Sequence, residues 1–175
     1  TTAQYEDNKM IEVRKKSCLK AGKLLGISTF NFLEFSDMKL DSVPHLEINI
    51  ELEKIIQKYN SQIVYTTPHN DLNKDHQLVF ESTLVATRPL SSNVKQVFCY
   101  ELPGLVKTPF QPTVYENIKN EFSYKIRAFR MYKSEITEFP HSRSIESIEN
   151  LSVQRGIESG LQRAESFQLI RSILD

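Results

Sequence analysis

Helical and strand-like periods alternate along this sequence, and that alternation leaves few architectures open. Residues 8–25 carry Ile11, Cys18, Ala21 and Leu25 on one helical face, with Arg14 among them and Gly26 as a stop signal. Residues 28–35 are aromatic-rich and strand-like. A second helix is predicted over 45–59, where Ile48, Leu52, Ile55, Ile56 and Tyr59 recur at helical spacing. Residues 62–66 read as a short buried strand, and 76–88 as the helix that follows it. Strands at 96–100 and 112–115, helices at 120–133 and 144–156, and a last extended segment over 165–173 complete the pattern. The expected fold is therefore α/β, with a mainly parallel sheet. In such sheets ligands bind beyond the carboxyl ends of the strands.

The 175 residues amount to one domain, and no linker or internal repeat divides them. Lysine plus arginine equal aspartate plus glutamate at 22 each, which argues against a general nucleic-acid binder. No apolar run is long enough to span a membrane. Cys18 and Cys99 lie far apart, outside any CxxC spacing, and read as reduced thiols of a cytoplasmic protein. Thr1 to Asp7 lack the basic start and apolar core of a signal peptide and read as a polar loop leading into the first helix.

The segment with most chemistry is Thr67 to His76, which leaves the carboxyl end of the 62–66 strand. It holds two of the four histidines, His69 and His76, with Asn70, Asp71, Asn73 and Asp75. Imidazoles and carboxylates on one strand-to-helix loop could hold a metal or work as acid and base. Asp and Asn are also favoured in turns and helix caps, so Asn73 or Asp75 could cap the helix that follows. The sequence has no HExxH, Walker loop, GxGxxG or GxSxG.

Pro68-His69-Asn70-Asp71-Leu72-Asn73-Lys74-Asp75-His76 resembles the second motif of the LmbE-like (PIG-L) zinc-dependent N-deacetylases, which usually reads H-x-D-H after a buried strand. Arg14, Ala21 and Leu25-Gly26 are similar to that family's R…E…A…LG helix. Lys125, Ala128, Tyr132 and Ser134 resemble its K…A…Y-x-S helix, and Gly156, Gly160 and Ala164-Glu165-Ser166-Phe167 its closing segment.

The resemblance implies a Rossmann-like three-layer domain and a zinc ion, or another divalent metal, held by two His and one Asp. The implied reaction is hydrolysis of the acetamide of an N-acetylated amino sugar, free or nucleotide- or lipid-linked. By position His76 is the implied metal ligand, Asp75 the supporting carboxylate, and Asn73 stands where the family's first His would stabilise an oxyanion. His69 and Asp71 are candidates to compensate for that His. Arg14, Tyr132 and His141 are candidates for substrate contact, and Glu165 is the natural type of partner for Arg14. The family's first motif, A-H-P-D-D-E, does not occur in these residues. The expectation is a single domain over 1–175 that lacks its N-terminal strand and first metal motif, and is inactive in that form. The competing expectation is a metal-free homologue that binds a sugar or a protein. The aromatic 28–35 stretch leaves room for homo-oligomers.

Overall fold

A computed structural model describes residues 8–104 and 107–174. The polar stretch Thr1 to Asp7 lies outside the described residues. The elements run α1 (Asn8–Leu24), a 3-10 turn (Leu40–Ser42), α2 (His45–Tyr59), β1 (Ile63–Thr66), α3 (Lys74–Ala86), β2 (Gln96–Tyr100), β3 (Val114–Asn117), α4 (Phe122–Phe129), α5 (Ile145–Ser159) and β4 (Ala164–Ser172). The α/β class is thus present. The strands hydrogen-bond in the order β1-β2-β4-β3. β1 pairs with β2 in parallel and β2 with β4 antiparallel, so the sheet is mixed. No described helix is long and apolar enough to cross a membrane.

The helix ends follow local chemistry. Gly26 adopts φ +77°, and Ile27 N–H closes on Gly22 C=O at 2.8 Å, a Schellman stop for α1. Asn60, at φ +48°, does the same for α2, with Ser61 N–H on Ile56 C=O. Asn73 caps α3 by accepting from Asp75 N–H, and Ser144 caps α5 by accepting from Ser147 N–H.

Packing divides the chain into two compact units. One comprises 33–114 and 166–175. Its core is Ile56, Ala86, Val94 and Val97, with Leu52, Val64, Leu84 and Ile170 packed on it. Val64, Val97 and Ile170 belong to one face of the sheet, which α2 and α3 cover. The opposite face carries Tyr65, Phe98 and Phe167, whose rings pack at centroid distances of 5.2 to 6.4 Å. The other unit comprises 1–32 and 115–165 and contains α1, α4 and α5.

Two expectations change here. Residues 28–35 form no strand. Their apolar alternation is real, and Phe30 and Phe32 stack ring on ring, but a strand also needs a ladder neighbour and none pairs with them among the described residues. The helix expected over 120–133 ends at Phe129, where Met131 and Tyr132 N–H turn back onto Ala128 and Phe129 C=O. Tyr132 therefore lies beyond α4.

Candidate functional site

The loop from Thr67 to His76 joins β1 to α3 and is held at both ends. Thr67 Oγ1 donates to His76 C=O at 2.7 Å, and Cys99 Sγ donates to Thr67 C=O at 3.4 Å. Asn70 is buried; its Nδ2 donates to Thr108 C=O at 2.6 Å, and its C=O accepts from Lys107 N–H at 2.8 Å. Asn70 thus ties the loop to the segment after β2, and its Oδ1 is buried without a partner among the described residues.

The loop's centre is Asp71. Its Oδ1 accepts from Asn73 N–H at 2.8 Å, and its Oδ2 lies 2.8 Å from His76 Nδ1. Its C=O accepts from Gln77 Nε2 at 2.7 Å. The Asp71 side chain is 13% exposed and the His76 ring 36%. Nε2 of His76 makes no hydrogen bond among the described residues. Asn73 spends its Oδ1 on the helix cap, and its Nδ2 makes no hydrogen bond among them. Asp75 is buried, and its Oδ1 accepts from Leu40 N–H at 3.1 Å, which anchors the 3-10 turn to α3. The carboxylate on His76 is thus Asp71, five residues back, rather than Asp75 beside it. His69 is exposed, with its ring against Phe80 at 5.3 Å.

Sequence reasoning passed over Tyr100, the last residue of β2. Its phenol is pushed up from the ordinary tyrosine range by burial, then by Cys99 and by the Asp71 carboxylate. Burial pushes the Cys99 thiol up to about 12, against a smaller lowering by the His69 backbone. The position of Tyr100 at a strand's carboxyl end was the available signal.

The remaining candidates belong to the α1–α4–α5 unit. Arg14 Nε donates to Glu135 Oε1 at 3.0 Å, and Arg143 also pairs with Glu135. Glu165 is bound instead by Lys125 Nζ, at 2.5 Å. Helical arithmetic could not find Glu135, which lies in the turns after α4. Tyr132 lines a cavity of about 720 Å³ between α1 and α4, with Cys18, Ala21, Phe30, Lys125 and Glu165. Burial pushes its hydroxyl up to about 12, and Cys18 adds to the shift. His141 Nδ1 accepts from Arg143 N–H at 3.0 Å in the turn before α5. Both cysteines are free thiols, Cys99 buried and Cys18 half-buried.

The family model described as PIG-L, GlcNAc-PI de-N-acetylase, matches residues 1–87, which include the whole Thr67–His76 loop. Over those residues, just under half of its length, the chain is similar to the PIG-L family. Among proteins similar to this chain is the uncharacterized deacetylase YaiS of Escherichia coli (strain K12), 29% identical over 130 residues, 69% of this chain and 65% of that protein. The match therefore spans a little under two thirds of that relative. The conserved protein TT1542 from Thermus thermophilus superposes with a TM-score of 0.75 at 22% identity, over 94% of this chain and 76% of that one. The N,N'-diacetylchitobiose deacetylase from Pyrococcus horikoshii, solved with its inhibitor MPG, gives 0.73 at 17% identity, over 91% and 64%. At such identities the two superpositions establish the fold.

Proposed function

We propose that this chain serves a PIG-L-type, metal-dependent hydrolase that removes the acetyl group from an N-acetylated amino sugar or sugar conjugate. The observation that carries the reading is the Asp71–His76 pair, at 2.8 Å on the loop that the family model covers. An imidazole held through one nitrogen by a carboxylate is how metal-ligating histidines are commonly supported. The family name and the printed activity of the P. horikoshii structure supply the substrate class: N-acetylated sugars, free or lipid-linked.

Zinc, or another divalent metal, is the cofactor of this reading. A catalytic zinc takes three protein ligands. Among the described residues no three His, Cys, Asp or Glu side chains converge, so they offer one ligand, His76, and do not complete a metal site. When bound, such a metal polarises a carbonyl and activates a water.

The chain's own residues are assigned as follows. Asp71 holds the His76 ring. Asn73 Nδ2 is able to donate to an oxyanion but cannot shuttle a proton. Asp75 braces the start of α3, and His69, exposed on the same loop, is the candidate acid or base. Arg14, Tyr132 and His141 are proposed for substrate contact. The protein is proposed to be cytoplasmic.

The incomplete ligand set favours a second reading, a metal-free homologue that binds a sugar or a protein partner. The test is metal content and acetate release by the full-length protein on a panel of N-acetyl sugars and their lipid- and nucleotide-linked forms. Bound metal that His76→Ala removes, together with acetate release, supports the hydrolase. Protein purified with added zinc that carries no metal and releases no acetate supports the binding module.

A further inference from the structure

The two oxygens of Asp71 do different work. Oδ1 accepts from Asn73 N–H two residues on, the geometry of an Asx turn. A neutral asparagine would serve that turn equally well. Oδ2 faces His76 Nδ1 at 2.8 Å, from a carboxylate that is mostly buried. An ionised carboxylate only accepts hydrogen bonds, so the nitrogen facing it must carry the proton. A neutral imidazole with its proton on Nδ1 has its lone pair on Nε2.

We propose that Asp71 is a positioning residue that fixes His76 as the Nδ1–H tautomer and so makes Nε2 the ring's electron-pair donor. The other nearby carboxylate is not available for this, because Asp75 is buried and bound to Leu40 N–H. The main-chain bonds to Gln77 and Thr67 hold Asp71 and His76 in register, so the pair is part of the way α3 begins. The proposal takes His76 from the reading above as the working imidazole. Its test reads the ring's proton rather than hydrolysis, so either can fail alone.

Asp71→Asn separates the two roles. The amide oxygen can keep the Asx turn, which turns the amide NH2 toward His76 Nδ1. A donor there forces the lone pair onto Nδ1 and the proton onto Nε2. The experiment is long-range proton–nitrogen NMR of 15N-labelled full-length protein without added metal, at about pH 8.5, where an ordinary imidazole is neutral. The expected result is Nδ1–H in the wild type, Nε2–H in Asp71→Asn, and the wild-type tautomer in Asp75→Asn. An Nε2–H ring in the wild type overturns the proposal, and so does an unchanged tautomer in a folded Asp71→Asn. If Asp71→Asn does not fold, the wild-type spectrum decides by itself: Nδ1–H supports the assignment and Nε2–H refutes it.

Discussion

Arg14 on α1 and Glu135 after α4 meet at 3.0 Å, and Glu135 also holds Arg143. One carboxylate thus joins three stretches of the α1–α4–α5 unit. Both side chains are about a quarter exposed, so their attraction is partly screened by solvent. A double-mutant cycle with Arg14→Ala and Glu135→Ala should give a coupling of about 1 kcal/mol, smaller in high salt. Coupling indistinguishable from zero at low salt would show the pair to be incidental.

Asp75 should matter to stability through Leu40. Asp75→Ala leaves the buried Leu40 N–H without an acceptor and releases the 3-10 turn. The expected cost is about 1.5–3 kcal/mol, read as a lower urea midpoint with an unchanged slope. A shift within error of the wild type would mean that the turn finds another partner.

Two helical glycines should differ when replaced by alanine. A Cβ on Gly156 would lie 2.6 Å from Leu161 C=O, because the chain after α5 folds directly back on that turn. Backbone must move, and the cost should be roughly 1–3 kcal/mol. A Cβ on Gly22 meets the Phe30 ring, a half-exposed side chain that can swing away, and alanine gains helix propensity there. Gly22→Ala should therefore be much the milder change in urea titrations, and the reverse order would contradict this packing.

The alkaline limb of stability should carry the mark of Cys99 and Tyr132. Burial raises Cys99 from 9.0 to about 12 and Tyr132 from 10.0 to about 12. Above the unfolded values the native state binds more protons than the unfolded state, so stability falls as pH rises. The loss should run from about pH 9 to about 12 and be shallower in Cys99→Ala and in Tyr132→Phe. The same burial should keep Cys99 unmodified by iodoacetamide in the native protein, with alkylation appearing in denaturant.

Local signals in this chain were readable without coordinates. Gly26 ends its helix in the left-handed region, as glycine there suggests, and Asn73 takes the cap that asparagine favours. The 67–76 loop also stands at the end of a strand, as the alternation implied. Relationships set by distant chain were not readable. The composition of 28–35 describes a strand's surface but says nothing about a neighbouring ladder. Glu165 was the plausible partner for Arg14, yet Lys125 takes it and Glu135 serves the arginine. Within the loop, residue type alone could not say which aspartate faces His76. The Asx turn at Asp71 and the bond from Leu40 to Asp75 decide that.

The order β1-β2-β4-β3 has a consequence for synthesis. β4 follows β2 only after β3, α4 and α5 have been made, yet β2 depends on it for its second neighbour. Until Ala164 to Ser172 emerge, a nascent chain presents Val97 to Tyr100 with one unpaired edge, open to any other extended polypeptide. Termination just before Ala164 would make that exposure permanent, so such truncated chains should collect in inclusion bodies rather than accumulate as a shorter native protein.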